Sequence, residues 1–347
     1  MTAAQLVGGV IVGVDTHKDT HTAAAVTSTG AVLEHLTVVA DPGGYRRLLT
    51  FGRRHEVSGW AIEGTGSFGA GLTTALLAQG ERVFEVDRPQ RPARRAGVKS
   101  DDIDAVRAVR QALAGVGLAD PRRRGEREAI RVLLTTRAQA VDFRTRAIAA
   151  LHAMVTSAPQ QQRERLRDLP LASLLRTCAG LRGSNRQSAE EFATVMALRA
   201  TAKRALACQS EAAELEAQLL TLIELVAPWL LDQVGVGPVV AGQVLASWSH
   251  RGRVHSEAAF AMLGGVAPIE ASSGMVIRHR LNRSGDRQLN RALHTIVMVR
   301  LRQDPETKAY AQRRLAEGKT MREVKRCLKR YVARQLFRRL ETLPNAA

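Results

Sequence analysis

The sequence is poor in cysteine and in aromatic residues. Its three cysteines, Cys178, Cys208 and Cys327, lie far apart, and none belongs to a CxxC pair or is matched with a histidine. Neither a zinc site nor a disulfide framework is therefore expected. Aromatic residues make up 4% of the chain, and this low content argues against an extensive surface for stacking the bases of single strands.

Long apolar segments are also missing. No uninterrupted apolar stretch approaches the roughly 18 residues that a membrane-spanning helix needs, and Met1–Leu6 lacks the charged start of a signal peptide. We therefore expect a cytoplasmic protein with no membrane partner.

Acidic residues are scarce relative to basic ones. The chain contains 51 Lys and Arg against 33 Asp and Glu, which gives a net charge of +18. Such an excess steers a protein toward polyanions, and nucleic acid and an anionic membrane surface are the competing partners. Because no membrane segment is indicated, we favour nucleic acid.

The pattern of the chain changes twice, which predicts three domains, residues 1–118, 119–226 and 227–347. The first alternates apolar runs with helical stretches, which predicts an α/β domain. The apolar runs are Val7–Val14, Ala23–Val26 and Val83–Val86, and the helical stretches are Tyr45–Phe51 and Gly71–Gln79. From about Asp102 to Leu230 strand signals vanish. Apolar residues recur there with helical spacing, as in Ala189–Leu225, which predicts long paired helices or a coiled coil.

The third region is predicted to be mainly helical. Gly235 and Gly237 precede a predicted helix over Val239–Ser247 and resemble one helix-hairpin-helix unit, in which backbone N–H groups approach a DNA phosphate. An ordinary turn is the alternative. Further on, Tyr310–Leu340 predicts a basic pair of amphipathic helices, whose cations, Lys325 and Arg326 among them, contact a nucleic-acid backbone or are simply solvated.

Two carboxylates stand at the ends of predicted buried strands. Asp15 follows the apolar run Val7–Val14, and Glu63 follows Trp60–Ile62 and precedes the glycine-rich segment 64–69. An unpaired buried charge is costly, so a carboxylate at such a place needs a cation, either Arg or Lys or a metal ion. A salt-bridged strand end remains the alternative for Asp15.

Two further acids share one face of a predicted helix. Asp101 and Asp104 are three residues apart at a helix start, with Ser100 as the expected N-cap, whereas Asp102 points elsewhere and suits the helix dipole. Oxygen ligands shared between two divalent ions are used in phosphoryl transfer to activate one oxygen and to stabilise the leaving one.

Histidines are given little weight as ligands. His17 and His21 flank Asp15, but no cluster of His or Cys with zinc spacing competes with the carboxylates. The sequence thus predicts a site built from carboxylate oxygens.

Several motifs occur in the order found in a known family. They are Asp15–Lys18, Glu63–Gly69, Pro89, Lys99–Ala105, Phe260–Pro268, Ser272–Gly274 and Arg283–Arg291. On these residues almost the whole chain resembles the DEDD insertion-sequence transposases, the insertion sequence one-ten family with its Piv-type and MooV-type DNA invertase relatives. Two departures, Asp87–Pro89 in place of Asn-Pro and Asn290 where Arg is common, bear only on local DNA contacts.

The resemblance implies the fold and the metal site. The N-terminal domain is expected to be RNase H-like (RuvC-like), followed by a long helical coiled-coil middle and a mainly α C-terminal transposase domain. Asp15, Glu63, Asp101 and Asp104 are expected to bind Mg²⁺, two ions per active site.

The resemblance also implies a serine nucleophile in the Ser272–Gly274 segment. We place it at Ser273, because the family motif is Ser-Gly, with Ser272 as the fallback; read without the resemblance, the segment is a turn. A serine hydroxyl is a poor nucleophile until its proton is taken or its oxygen polarised. If the serine met the acidic site, the two would form one composite centre. The serine would attack a DNA phosphodiester and give a phosphoserine intermediate. This intermediate conserves the energy of the phosphodiester bond for rejoining the strand.

The partners implied by the resemblance are nucleic acids and further copies of the chain. A structured guide (bridge) RNA is expected to select donor and target DNA by base pairing, so the protein sequence does not specify either. We expect a homo-oligomer, a dimer or tetramer, associated with the bacterial nucleoid. The arginines around the serine are expected to hold phosphates or to be solvated; they are Arg278, Arg280, Arg283 and Arg287.

Three other functions are weighed against this one. A RuvC-type junction resolvase would use the same four acids with water and would not need the serine. An ATP-binding protein of the actin and sugar-kinase fold would use Gly13–Asp15 and Gly64–Gly66 as phosphate loops, but Ala227–Leu340 shows no second phosphate motif. A nucleic-acid-binding protein without catalysis would bind DNA but transfer no strands.

Overall fold

The computed structural model describes residues 9–86, 101–115, 118–184, 187–276 and 278–343. It divides into two compact units, Met1–Arg123 and Arg124–Ala347. The predicted contributions of Pro89 and Ser100 lie outside the described residues, and the division into three domains stays a prediction.

A mixed sheet of six strands forms the first unit. In chain order the strands are β1 (Val10–Thr16), β2 (Thr20–Thr27), β3 (Val32–Val39), β4 (Val57–Glu63), β5 (Val83–Val86) and β6 (Leu118–Ala119). Their order across the sheet is β3-β2-β1-β4-β5-β6. The pairs β1–β4 and β4–β5 are parallel, and the other neighbours are antiparallel.

Both faces of the sheet are covered by helices, which explains why the central strands are continuously apolar. Helices α1 (Pro42–Arg54) and α2 (Ala70–Ala78) pack on one face, and α3 (Asp101–Leu113) packs on the other. Since side chains alternate along a strand, Val12 and Val14 of β1 face α1 and α2, whereas Ile11 faces α3. Asp15 lies two residues beyond Gly13 and four beyond Ile11, so it is on the α3 face as well.

Gly13 allows α3 to pack closely against β1. A Cβ at this position would lie 2.1 Å from the carbonyl oxygen of Ala105 and 2.7 Å from Cγ2 of Val109. Only glycine fits at this separation. The close approach fixes the first turn of α3, which carries Asp101 and Asp104, beside the end of β1.

The α/β pattern predicted for this region is confirmed, but two strands were missed. β3 is an edge strand whose residues are mostly exposed or half-buried, so its sequence lacks the apolar run that marked the other strands. The expectation that strand signals vanish from about Asp102 is wrong at β6, because two residues pair with β5 at the far edge of the sheet. So short a strand has no periodicity to detect.

Two long antiparallel helices pack against each other in the second unit. They are α4 (Glu126–Ser157) and α7 (Ala189–Val226), and α7 begins with a capping box between Ser188 and Glu191. Arg137 of α4 pairs with Glu216 of α7 at 2.7 Å, and further along α4 Arg144 donates to Gln209 at 3.2 Å. Paired long helices were predicted; the finer coiled-coil geometry stays a prediction.

The rest of the second unit is almost entirely helical. Its other elements are α5 (Gln160–Leu166), α6 (Leu171–Ala179), α8 (Pro238–Trp248), α9 (Glu257–Leu263), the strands β7 (Ile269–Glu270) and β8 (His279–Arg280), α10 (Arg287–Gln303), α11 (Pro305–Ala316) and α12 (Met321–Leu340). One hydrophobic core joins α4 to α7 through α5 and α6, and a second joins the other ends of α4 and α7 to α8, α9, α10 and α12. A mainly helical C-terminal region was predicted.

Of the two glycines before α8, Gly235 has an evident packing role. Gly235 has a φ of +87°, and a Cβ there would lie 3.0 Å from the carbonyl oxygen of Ile296 in α10. Gly237 is the N-cap of α8, and a Cβ on it would meet nothing within 4 Å. A helix-hairpin-helix role for these glycines stays a prediction. Within the described ranges, no helix is both long and apolar enough to span a membrane.

Candidate metal centre and serine hairpin

Asp15 and Glu63 lie at neighbouring strand ends on the same face of the sheet. Val14 of β1 is paired with Ile62 of β4, so the next residue of each strand, Asp15 and Glu63, follows side by side. The hydroxyl of Thr16 donates a hydrogen bond of 2.9 Å to the carbonyl oxygen of Glu63 and ties the two ends together. The two strand-end carboxylates are thus brought to one edge.

The first turn of α3 brings Asp101 to Asp15. The Nε2 atom of His17 lies 3.1 Å from Oδ2 of Asp15 and 3.6 Å from Oδ1 of Asp101. One ligand atom from each of these three residues lies within 4.8 Å of the others. Two carboxylate oxygens and an imidazole nitrogen at this spacing can hold a divalent ion.

The electrostatics of Asp15 favour a bound cation. Its side chain is 13% exposed, and burial is the main reason that the pKa of its carboxyl group is raised. The negative charges of Asp101 and Asp104 raise this pKa further, while His17 opposes them through its charge and hydrogen bond. A cation placed among these carboxylates would relieve the repulsion.

The remaining acids of the α3 turn have different partners. Asp104 accepts a hydrogen bond of 2.6 Å from Nη1 of Arg107, and it affects Asp15 through its charge. Asp102 points toward β3, where its Oδ1 atom lies 3.5 Å from Nδ1 of His35. The structure therefore groups Asp15 with Asp101 and His17, with Asp104 within electrostatic range.

The two histidines near Asp15 in the sequence lie on opposite faces of the sheet. His17, which was given little weight as a ligand, lies at the acidic group. Its position two residues beyond Asp15 in an extended segment was the available signal. His21 is buried on the opposite face, where its ring stacks on Tyr45 with centroids 5.8 Å apart. Burial lowers the pKa of His21.

Ser273 lies at the tip of an exposed hairpin formed by β7 and β8. Its backbone exchanges two hydrogen bonds of 3.1 Å with Val276, and Gly274 turns the chain with a φ of +58°. Ser272, by contrast, uses its hydroxyl to accept a 3.3 Å hydrogen bond from the backbone N–H of Arg278. Within the described residues the Ser273 hydroxyl has no protein partner, and it faces solvent.

Gly265 and Gly285 bring the chain segments at the base of this hairpin, which we call the serine hairpin, into close contact. A Cβ on Gly265 would lie 2.7 Å from the carbonyl oxygen of Ser284, and a Cβ on Gly285 would lie 2.6 Å from that of Leu263. Both residues have positive φ. The motifs 260–268 and 283–291 therefore form one scaffold that carries the hairpin.

Two polar side chains complete this scaffold, and neither was among the predicted site residues. Asp286 caps α10 by accepting hydrogen bonds from the backbone N–H groups of Gln288 and Leu289, and it accepts a 2.6 Å hydrogen bond from Ser247. Asn290 donates to the carbonyl oxygens of Gly264 and Gly265 at 2.7 and 3.3 Å. An aspartate directly before a helix was the signal for the cap.

The basic side chains that were predicted to bind phosphate lie mostly on the surface. The four arginines around the serine hairpin are exposed, and no ion pair involving them occurs among the described residues; they are Arg278, Arg280, Arg283 and Arg287. Lys325 is half-buried and Arg326 exposed on α12. Their roles in binding stay predictions.

A sheet of this order with acids at adjoining strand ends, followed by a helical region, fits a DEDD-type domain of the RNase H-like class. A model of the IS110 DEDD domain, described as a transposase, matches residues 12–158, and a model described as the transposase IS116/IS110/IS902 family matches residues 228–312. The chain belongs to the IS110 family of DEDD transposases. A DEDD-type domain points to use of a divalent metal, and the group at Asp15 fits that requirement.

One curated relative supports this membership over part of its length. The insertion element IS110 uncharacterized 43.6 kDa protein of Streptomyces coelicolor is 34% identical over 109 residues. The matched stretch is 30% of this chain and 27% of the relative. The match thus spans about a quarter of the relative's length.

Proposed function

We propose that this protein is an RNA-guided DNA recombinase, the transposase of a mobile element, which cuts and rejoins DNA strands through a phosphoserine intermediate. The observation that carries the proposal is the convergence of Asp15 and Asp101 where β1 ends and α3 begins. The raised pKa of the Asp15 carboxyl, with like charges beside it, marks a place that requires a cation.

Asp15, Glu63, Asp101 and Asp104 would hold the metal, which we take to be Mg²⁺, with two ions per site. Bound there, the metal would supply positive charge to a phosphodiester under attack and to the oxygen that leaves it. The contribution of the chain is to hold the carboxylates in place. Gly13 allows α3 to pack closely against the sheet, and Thr16 holds the backbone of Glu63 through a hydrogen bond. Preorganised ligands lose no binding energy to rearrangement.

Ser273 would be the nucleophile. Its oxygen would form a bond to phosphorus while the bond from phosphorus to one DNA oxygen breaks, and the proton lost by the serine would pass to that leaving oxygen. Exposure of the Ser273 hydroxyl supports this choice, because the Ser272 hydroxyl is already bonded to the backbone of Arg278. The phosphoserine would then be attacked by another DNA hydroxyl, so that rejoining needs no external energy source.

The binding partners in this proposal are donor DNA, target DNA and a structured bridge RNA. The exposed arginines near the serine hairpin, Arg278, Arg280, Arg283 and Arg287, would hold neighbouring phosphates. Gly235 and Gly237 before α8, together with Lys325 and Arg326, would also contact the nucleic-acid backbone. The protein would act as a homo-oligomer, a dimer or tetramer.

The test uses purified full-length protein with its copurified RNA, donor and target DNA, and Mg²⁺. Asp101→Asn and Ser273→Ala should each abolish strand transfer while leaving DNA binding unchanged. Ser272→Ala is the matched control and should retain transfer. Transfer that survives Ser273→Ala but is lost with Ser272→Ala would move the nucleophile to its neighbour; transfer that survives both would contradict the serine mechanism.

A hydrolytic nuclease of the RuvC type is the second candidate. The carboxylate group at Asp15 favours it as well, since acids that hold metal can serve the attack of water on a phosphodiester. This enzyme would still cut DNA as Ser273→Ala and would release free ends without rejoining them. Cutting without a covalent protein adduct would decide in its favour.

A further inference from the structure

The cations of α12 fall into two groups with opposite surroundings. On one side of the helix, Arg334 and Arg338 pair with the carboxylate of Glu257 at 3.1 and 3.0 Å. Arg330 donates to the backbone carbonyl of the same residue at 3.1 Å. The cations on this side are therefore anchored to α9, and two of them share the one carboxylate of Glu257.

The other side of α12 carries cations without an acid. Lys325 and Lys329 are one turn apart, on the side of the helix away from Arg334. Their charges act on His294 of α10, which lies one helical turn beyond Asn290 and whose pKa is lowered by partial burial and then by the charges of Lys329 and Lys325. Within the described residues no carboxylate pairs with any of the three.

This arrangement costs folding free energy in the absence of a bound anion. Lys329 is half-buried, and its pKa is lowered by burial and by the charge of Arg326. Like charges packed together are unfavourable, and the Lys329 ammonium donates to a neutral group, the side-chain oxygen of Asn290, 3.1 Å away. Local arrangements that disfavour folding concentrate where a ligand is bound.

The cluster lies at the base of the serine hairpin. Asn290, which accepts from Lys329, donates in turn to the carbonyl oxygens of Gly264 and Gly265. Gly265 packs against Ser284 within the scaffold that carries Ser273. A hydrogen-bonded chain of three residues therefore connects the lysine to the segment that leads into β7.

We propose that Lys325, Lys329 and His294 form a phosphate-binding site for the DNA strand on which Ser273 acts. The inference rests on the proposed function and adds the residues that hold the strand. The two ammonium groups supply charge, and a ring N–H of His294 donates a hydrogen bond to a phosphodiester oxygen. Asn290 orients Lys329 and couples the site to the serine hairpin.

The experiment compares three variants of the full-length protein: Lys325→Gln, Lys329→Gln and, as matched control, Arg338→Gln. Each removes one positive charge from α12, and glutamine keeps a donor for Asn290. Fluorescence anisotropy measures binding to a short DNA duplex as the salt concentration is raised. Thermal unfolding in low salt without nucleic acid measures the cost of the uncompensated charge.

We expect each lysine variant to weaken DNA binding and to lower the slope of log affinity against log salt by about 0.9, the value for one lost phosphate contact. Without nucleic acid, the same variants should unfold at an equal or higher temperature than the wild type. Arg338→Gln should leave the slope nearly unchanged and should not raise the unfolding temperature, because it breaks a compensated pair.

Two results would overturn the site. The first is an unchanged DNA slope in both lysine variants; the second is weakened binding of an RNA of the same sequence with DNA binding intact, which would assign the cluster to the RNA. Because binding is measured rather than strand transfer, loss of this site is distinguishable from failure of the recombinase proposal. Ser273→Ala serves as the reference and should bind DNA like the wild type.

Discussion

At the scale of single residues, function and stability conflict most clearly at Asp15. Its carboxyl group is largely buried and lies near Asp101 and Asp104, and its pKa is raised. For an acid whose folded-state pKa is raised, the favourable contribution to stability exists at low pH and is lost as the pH rises through that pKa. Without metal, ionisation of Asp15 as the pH rises through its raised pKa therefore destabilises the fold.

Asp15→Asn should consequently stabilise the metal-free protein at neutral pH, by an amount on the order of 1 kcal/mol. The gain should disappear in acid below the raised pKa of Asp15, where the wild-type carboxyl is itself protonated. Thermal unfolding in a chelator at the two pH values measures both effects. A substitution that destabilises equally at both pH values would show that the carboxylate is stabilised by its surroundings.

At the residue scale, the candidate carboxylates were predicted from their position in the sequence. Asp15 and Glu63 directly follow apolar runs, and a carboxylate at the end of a buried strand is conspicuous. His17 was undervalued because its relation to Asp101 arises only when α3 packs on β1. Asn290 was compared with an expected arginine, whereas its bonds to Gly264 and Gly265 depend on a contact that the sequence does not reveal.

At the scale of elements, the metal centre depends on how closely α3 approaches the sheet. Gly13→Ala would place a Cβ 2.1 Å from the carbonyl oxygen of Ala105, so α3 must shift away from β1. We expect a loss of about 1–3 kcal/mol in the free energy of unfolding, together with weaker metal binding, since Asp101 moves with the helix.

The control for this substitution is Gly66→Ala, where an added Cβ would meet nothing within 4 Å. Chemical denaturation measures stability, and calorimetric titration measures metal affinity. If Gly13→Ala bound metal as tightly as Gly66→Ala, the close packing of α3 would not be what assembles the carboxylates.

The serine hairpin depends in the same way on the cap of α10. Asp286→Ala removes an N-cap, which costs about 1 kcal/mol, and leaves the nearly buried Ser247 hydroxyl without its acceptor. We expect it to lower strand transfer as well, because the lost side-chain bonds to Ser247, Gln288 and Leu289 hold the segment whose backbone N–H is bonded to Leu263 of the scaffold.

Asp304→Ala is the matched control, because Asp304 caps α11 through Thr307 and lies outside that scaffold. It should lose comparable stability from the cap and keep its strand-transfer activity. Equal losses of transfer in the two variants would mean that stability, rather than the position of the hairpin, controls activity.

At the scale of the whole molecule, the broad organisation could be predicted from composition and periodicity. Alternating apolar runs gave the α/β region, and helical spacing gave the long pair α4 and α7. The edge strand β3 and the two-residue β6 were missed because edge pairing demands no apolar run. The net charge of +18 predicted a polyanion as partner, but only the structure distinguishes the α12 arginines that bond to Glu257 from the lysines that have no acidic partner among the described residues.

The central claim is that Ser273 becomes covalently joined to DNA under the control of the acidic site. The most direct measurement is peptide mass spectrometry of protein quenched during reaction with DNA, copurified RNA and Mg²⁺. We predict a nucleotide adduct on the peptide containing Ser273, lost in Ser273→Ala and in Asp101→Asn. DNA cleavage by Ser273→Ala at the wild-type rate, with no adduct anywhere on the chain, would contradict the account.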